Sequence, residues 1–442
     1  MPGPSQVRAT SATLPFPYAT PGARRRALAA WCLYDFASSS YTTLIVTVSF
    51  SVYFREVVIA QGNRGDLLWG LANFLAMLVV ALVSPVLGAM ADGLGRKRTL
   101  LQLATCQSVA ATALLYFAAP GRAFLSMACY IVATIGFEAA YVFYNAYLPE
   151  VSTPRTMGRT SGWGWGIGFV GGLAALLLCS PWIGSELRDA RGELVPHAIQ
   201  DRRLSFAIVA AFYLVFAIPA LALLRDAPAA RSAVPGALRQ GLASVMRTLR
   251  QIGRHREVGK FVLASLLFND AISTVIVFAA TYATVTFEFG SGELVRLFVI
   301  MNLVAFPATV LSGYLADRAG AKRTLVLSLV LWILVVLLAA SASTKLAFWV
   351  VALGAAVGMG ATQAVARSLM AALTPPERRA EFFGFYVTAG KFAAISGPLI
   401  FGALSAATGS QRIAVLALLP LFLGGLALTL AVAEPGRPAP PD

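Results

Sequence analysis

Runs of about twenty apolar residues recur along the whole chain, and this is the feature that most restricts its fold. A helix needs a run of roughly that length to cross the hydrocarbon core of a membrane. The chain is 58% hydrophobic and 12% charged, whereas soluble domains are roughly 45–50% apolar and about 25% charged. Because a backbone in lipid must satisfy its own hydrogen bonds, the sequence predicts an all-α, multi-pass integral membrane protein.

The apolar runs predict twelve membrane-spanning helices. Residues 1–27 contain Pro, Ser and Thr but no apolar core before Arg24–Arg26, which predicts a disordered cytoplasmic tail and not a cleaved signal peptide. Residues 434–442 are expected to form a second cytoplasmic tail. The predicted spans are residues 28–54, 67–91, 99–119, 122–149, 161–184, 203–225, 258–287, 294–316, 324–343, 346–373, 381–409 and 411–433.

The distribution of basic residues predicts the orientation of the chain. With both termini cytoplasmic, the inside loops and tails hold 23 of the 35 Lys and Arg residues and the outside loops hold 10. The remaining two, Arg367 and Lys391, fall within spans. This asymmetry satisfies the positive-inside rule. The net charge of +15 therefore indicates contact with anionic lipid headgroups and not nucleic-acid binding.

The segment 226–257 differs in composition from the spans on either side of it. Five apolar residues recur at helical spacing with arginines between them, which predicts an amphipathic helix on the cytoplasmic membrane surface. A helix that binds a partner protein is the alternative interpretation. The five are Leu238, Leu242, Val245, Leu249 and Ile252.

An internal repeat divides the chain into two halves. The second span ends in GAMADGLGRKRTL, from Gly88 to Leu100, and the eighth ends in GYLADRAGAKRTL, from Gly313 to Leu325, 225 residues later. A weaker echo relates the segments around Asp35 and Asp270. We therefore predict two homologous six-helix bundles, residues 28–225 and 258–433.

These motifs resemble the loop signature of the major facilitator superfamily, GxxxD(R/K)xGxx(R/K). The second copy is the fuller one, since Gly93 replaces the usual basic residue in the first. Five further segments resemble the vacuole-effluxer branch, whose fungal members are implicated in releasing amino acids from vacuoles. The resemblance implies a twelve-helix, pseudo-symmetric, monomeric carrier, in a membrane such as the bacterial cytoplasmic membrane. The segments are WCLYDFASSSY, YNAYLPEV, FNDAISTV, QAVARSLMAALTP and EFFGFY.

Ionisable residues well inside the predicted spans, away from the span ends, are the candidates for function. Each costs roughly 2.5–3.5 kcal/mol at a helix centre, so the five together would cost about 12–18 kcal/mol if they faced lipid. They must therefore face a wet cavity or one another. The five are Asp35, Glu138, Asp270, Arg367 and Lys391.

Two interpretations of these charges remain open. The acids and bases pair as interhelical locks, or they form a solute site near the membrane midplane. The resemblance places spans 1, 4, 7 and 10 around a central cavity, where Arg367 and Lys391 would bind an anionic group and an acid would bind an ammonium or a proton. Polar neighbours that extend this candidate site are Tyr34, Ser38, Asn145, Asn269 and Gln363.

The two repeated loops are candidate gates. A carboxylate at Asp92 or Asp317 can meet the positive N-terminal end of a neighbouring helix, while the basic residues after it bind carbonyls and headgroups. By resemblance, this contact joins the two halves on the cytoplasmic side and opens when the cavity faces inward. The alternative is that these residues only fix topology. The loop residues are Asp92, Arg96, Lys97, Asp317, Arg318 and Lys322.

The GxGxxG sequence from Gly166 to Gly171 spells a nucleotide-binding motif but lacks the preceding strand that such a site requires. Glycines at four-residue intervals from Gly162 to Gly172 instead predict a helix face for close packing. With no metal or cofactor site and no catalytic cluster recognisable, we expect a secondary transporter and not an enzyme. Its expected solute is small, such as an exported amino acid, and titratable carboxylates favour proton coupling. Another solute class, or a receptor or scaffold without transport, is the alternative.

Overall fold

The computed structural model describes residues 18, 20–59, 62–184, 187, 189, 193–226, 246, 255–289 and 291–433. The predicted tails, apart from residues 18 and 20–27, lie outside the described residues, as does nearly all of the predicted linker helix within 226–257. The backbone at Lys391 is helical, but its side chain is outside the described part.

The described residues form twelve long helices. We number them α1 to α12, and call α1–α6 the first half and α7–α12 the second half. They are α1 (Pro21–Ser40, continued by Tyr41–Val48, Phe50–Tyr53 and Phe54–Ile59), α2 (Gly62–Leu94), α3 (Lys97–Leu114), α4 (Ala123–Ala146, continued by Leu148–Val151), α5 (Met157–Ile183), α6 (Pro196–Leu223), α7 (Arg256–Phe287), α8 (Ser291–Ala319), α9 (Ala321–Ser341), α10 (Lys345–Leu373), α11 (Arg379–Thr408) and α12 (Gln411–Leu416 and Leu419–Ala431).

This architecture confirms the predicted all-α membrane fold. Within the described ranges, eleven helical segments are long and apolar enough to cross a membrane, and α11, with 30 residues, is the remaining long helix. Many large apolar side chains on the helices are exposed, including Phe74, Leu82 and Leu311, as expected of surfaces that face lipid.

Two helices begin about two turns earlier than their apolar runs indicate. Helix α1 starts at Pro21 and α6 at Pro196, each seven residues before the predicted start. Residues 21–27, which composition assigns to a disordered tail, are instead the first turns of α1. Thr20 caps this helix by accepting a hydrogen bond from the Ala23 amide (3.2 Å), and proline suits the first position of a helix. Hydropathy misses such turns because they are polar.

The two halves pack through glycines that allow their backbones to approach closely. In the α2–α11 contact, a Cβ added to Gly88 would lie 2.0 Å from the Ala380 carbonyl oxygen. In the α5–α8 contact, a Cβ added to Gly158 or Gly313 would lie 2.5 Å from the carbonyl oxygen of the other glycine. A larger residue at these positions would force the helices apart.

The predicted packing role of the α5 glycines is confirmed, and it involves two faces of the helix. A Cβ on Gly162 would lie 2.8 Å from the Thr309 carbonyl oxygen on α8, whereas one on Gly171 would lie 2.2 Å from the Phe36 carbonyl oxygen on α1. Helix α5 therefore fits between α1 of its own half and α8 of the other.

The aspartates of the two repeated loops bind the first turns of helices in the opposite half. The Asp92 Oδ2 atom accepts a hydrogen bond from the Glu381 amide of α11 (3.0 Å). Asp317 accepts from the Gly158 and Arg159 amides of α5 (2.7 and 3.1 Å). These amides have no partner within their own helices. Both loop aspartates thus lie at a helix N-terminus of the opposite half. We call these two contacts the latches, and the end of the molecule that carries them the motif end.

The basic residues of the loops act mainly within their own halves. Lys322 donates to the carbonyl oxygens of Leu430 and Val432 (both 2.7 Å), as expected. Lys97 departs from the expectation, because it forms a buried ion pair with Glu150 at the end of α4. A buried ammonium gains more from a carboxylate than from a carbonyl. The side chains of Arg96 and Arg318 are exposed.

Replacing Gly88 by alanine should weaken the contact between the halves. The added Cβ would clash with backbone, so we expect the variant to lose about 1–3 kcal/mol of stability, measured as a lower melting temperature in detergent. Gly93 is the matched control, since a Cβ there would meet nothing within 4 Å in the same helix. Equal melting temperatures for Gly88→Ala and Gly93→Ala would contradict the proposed close approach.

Replacing Asp92 by asparagine should shift the molecule toward an open motif end. Loss of the charge at a helix N-terminus costs about 1 kcal/mol, or about a fivefold change in the open population. The measurement is the rate of maleimide labelling of Ser84→Cys, a buried α2 position, in a chain whose four native cysteines are replaced by alanine. Asp189→Asn, an exposed acid in the α5–α6 loop, is the control. A latch without mechanical effect would leave all rates equal.

Candidate functional site

A buried ion pair between the two halves forms the centre of the molecule. Arg367 on α10 donates from Nη1 to Asp35 Oδ2 on α1 at 3.1 Å. Both residues are almost inaccessible, with 2% and 6% of their surfaces exposed. The Tyr144 hydroxyl on α4 donates to the same carboxylate oxygen at 2.7 Å. The predicted cavity charges Asp35 and Arg367 are thus direct partners.

The remaining donors of Arg367 are also bound by the first half. Its Nε donates to Ser161 Oγ (2.9 Å) and its Nη2 donates to the Ser161 carbonyl oxygen (2.8 Å) on α5. The Asn145 Oδ1 atom on α4 lies 3.4 Å from Nη1. One side chain of the second half is therefore held by three helices of the first half.

Aromatic rings surround the guanidinium of Arg367. The centroids of Trp31, Tyr144 and Trp165 lie 4.8, 5.7 and 5.7 Å from it, within the range of cation–π attraction. Glycine at position 164 makes room for this arrangement. A Cβ on Gly164 would lie 2.7 Å from the Trp31 ring and 2.8 Å from Arg367 Nη2.

A second polar cluster adjoins the pair and belongs mainly to the second half. Gln363 on α10 donates to Asn269 Oδ1 on α7 at 3.0 Å. Tyr386 on α11 lies beside Asn269, and Tyr141 on α4 lies near both Arg367 and Tyr386. These four side chains are half-buried, so they can meet a solute that reaches the more deeply buried ion pair.

Four other predicted residues, Asp270, Tyr34, Glu138 and Ser38, make contacts within a single half. Asp270 accepts a hydrogen bond from the Gly397 amide of α11 (2.8 Å). The Tyr34 hydroxyl pairs with Thr105 and Tyr213 (2.7 and 3.0 Å).

Glu138 is buried on α4, near Tyr41 and Tyr213, and so also lies within the first half. The Ser38 hydroxyl donates to the Asp35 carbonyl oxygen of the same helix (3.4 Å). The structure thus joins Asp35, Asn145 and Arg367 directly, and the Tyr34 ring stacks on the Tyr144 ring beside them, with centroids 5.0 Å apart.

Several residues that touch or adjoin the central pair were not predicted from the sequence. Trp31 precedes Asp35 by four residues, which places both on one helix face, and this spacing was an available signal. Ser161 and Trp165 carried a weaker signal, because they flank the small residues of the α5 packing face. Tyr144 and Tyr386 also had a signal, because they lie in YNAYLPEV and EFFGFY, two of the segments that resemble the vacuole-effluxer branch. Within the described ranges, no group of three or more His, Cys, Asp or Glu residues is suited to hold a metal ion.

Comparison with known proteins agrees with this architecture. Residues 71–436 match the model of the "Vacuole effluxer Atg22 like" family. The chain is 29% identical over 408 residues to the "Uncharacterized MFS-type transporter YxiO" of Bacillus subtilis (strain 168), covering 91% of this chain and 94% of that one. It is also 29% identical over 214 residues to "Autophagy-related protein 22-2" of Emericella nidulans, covering 44% of this chain and 35% of that one.

Solved structures show the same fold. The fucose:proton symporter FucP of E. coli superposes with a TM-score of 0.74 at 14% identity, covering 92% of this chain and 98% of that one. The proton:xylose symporter XylE gives a TM-score of 0.71 at 14% identity, covering 93% and 96%. Since the family match covers most of the sequence, the chain belongs to the Atg22-like vacuole-effluxer family and is a major facilitator superfamily transporter of a small solute.

Proposed function

We propose that this transporter carries a small zwitterionic solute, such as an amino acid, and binds it between Asp35 and Arg367. The observation that carries the proposal is the ion pair itself. It is buried, it joins the two halves, and half-buried polar and aromatic side chains adjoin it.

The energetics of a buried pair favour a solute with both charges. Removing one partner from a buried ion pair costs about 3–5 kcal/mol. A simple anion that bound Arg367 would leave the Asp35 carboxylate unpaired. A zwitterion provides a carboxylate for Arg367 and an ammonium for Asp35, so both groups stay paired while their direct contact opens.

This exchange would couple binding to movement by alternating access. The Asp35–Arg367 pair ties the halves at the centre, and the two latches tie them at the motif end. If the solute replaces the direct pair, the latches are left to hold the closed state. The basic residues near the motif end support a cytoplasmic position for it, so this conformation would have its cytoplasmic side closed.

Proton coupling provides a second candidate mechanism, for an organic anion. Protonation of Asp35 would release Arg367 to bind a carboxylate without leaving a second charge unpaired. The shared contact of Tyr144 and Arg367 with Asp35 Oδ2 supports this role, because both donors would remain available to the incoming anion. Glu138 and Asp270 are further buried acids that we propose as sites for the coupling proton, and Lys391 remains a candidate for anion binding.

Neutralising the pair should separate transport from folding. Asp35→Asn and Arg367→Gln should each lower the melting temperature and reduce counterflow of radiolabelled amino acids in proteoliposomes by about a hundredfold or more. The double variant contains no unpaired charge, so we expect its melting temperature to recover while its transport stays absent. Tyr213→Phe, which loses a hydroxyl contact inside the first half, is the control and should transport normally.

The double variant distinguishes a solute site from a structural lock. Wild-type counterflow in Asp35→Asn/Arg367→Gln would show that the charges only hold the helices together. Counterflow of organic acids that depends on an inward proton gradient, without counterflow of amino acids, would support the second mechanism instead.

A further inference from the structure

A groove at the motif end lies outside the central cluster. It has a volume of about 790 Å³ and runs between the first turns of α1 and α5. Tyr314 on α8 completes it from the second half. Side chains along it are exposed, among them Arg25, Arg159 and Trp163, so the groove is open to the surroundings of the protein.

Both walls of the groove change from basic to apolar in the same direction. On α1, Arg24 and Arg25 are followed by Leu28 and Cys32. On α5, Arg159 is followed by Trp163 and Ile167 at intervals of four residues. Both helices start at the motif end, and eight residues of helix span about 12 Å. The basic ends of the two walls therefore lie together, with apolar surface extending from them toward the membrane interior.

Aromatic side chains mark the boundary between these two regions. Trp163 Nε1 lies 3.4 Å from the Tyr314 hydroxyl oxygen, and the Arg159 guanidinium lies 6.0 Å from the centre of the Tyr314 ring. Tryptophan and tyrosine concentrate at the depth of lipid headgroups. The groove thus has the polarity profile of one membrane leaflet.

Charge determines which occupant the groove fits. The described lining of the groove contains three arginines and no acid; Arg159 lies 3.5 Å from Asp317, and Arg24 Nε donates to the Val151 carbonyl oxygen at 3.3 Å. Residues 1–17 contain Arg8 and no acidic residue, so the chain's own N-terminal segment does not complement the groove. A free phosphate would satisfy the arginines but not the apolar surface below them.

We propose that this groove binds one anionic phospholipid, with its phosphate at Arg24, Arg25 and Arg159 and the start of an acyl chain along Leu28, Trp163 and Ile167. Because Arg159 also pairs with Asp317, and because Tyr314 comes from the other half, the lipid would bind next to one latch. Its site would be complete only while the two halves are together at the motif end.

Native mass spectrometry of the full chain in detergent tests the proposal. Dioleoyl phosphatidylglycerol should be retained in preference to dioleoyl phosphatidylcholine. Arg24→Gln/Arg25→Gln should reduce this preference by about thirtyfold, the effect of losing two basic contacts with an anionic headgroup. Arg122→Gln, an exposed arginine in the α3–α4 loop at the opposite end of the molecule, should leave it unchanged.

Three outcomes would overturn the proposal. They are equal retention of the two lipids by the unmodified protein, unchanged preference in the double variant, and displacement of the phosphatidylglycerol by millimolar inorganic phosphate. Melting temperatures identify any variant that is misfolded, and Arg25→Gln alone, at an exposed position, then replaces the double variant with a smaller expected loss. Because the measurement is of lipid retention and not of transport, it is independent of the proposed solute.

Discussion

The pairing of Asp35 with Arg367 is the constraint on which the rest of the central structure depends. A lipid environment offers a guanidinium no hydration, and a charge at a helix centre costs roughly 2.5–3.5 kcal/mol. The surroundings of Arg367 replace the missing hydration, since an acid, a serine, an asparagine and three aromatic rings all contact it. Close packing of α1 against α5 supplies the space, which a side chain at Gly164 would fill.

The need of polar groups for a hydrogen-bonding partner also explains the latches. The first turn of a helix leaves amides without partners, and in α5 and α11 these amides receive carboxylates from the other half. The contacts are possible only because glycines let α2 approach α11 and α5 approach α8. Glycine packing and charge pairing therefore support each other at the motif end, and weakening either should loosen both.

How much of the structure could be predicted from the sequence depends on how far apart along the chain the interacting residues lie. Helices, glycine faces and the contacts of Asp92 and Asp317 could be predicted because apolar runs and short motifs encode them locally. The burial of Asp35 and Arg367 could also be predicted, because a charge that faces lipid at a helix centre costs too much free energy. That these two residues pair, 332 positions apart, could not, since nothing local distinguishes this pairing from one with Asp270 or Lys391. The start of α1 was missed because its first turns are polar.

The two halves make equivalent contacts at the latches. Asp92 and Asp317 make equivalent contacts, each with the first turn of a helix in the opposite half. Asp35 binds an arginine of the other half, whereas Asp270, its counterpart in the weaker repeat, binds a backbone amide of its own half. A symmetric pair of latches suits a motion in which the halves rock against each other. An acid and a base that meet at the centre suit the binding of a solute whose two ends differ in charge, because each can exchange its partner for one end of the solute.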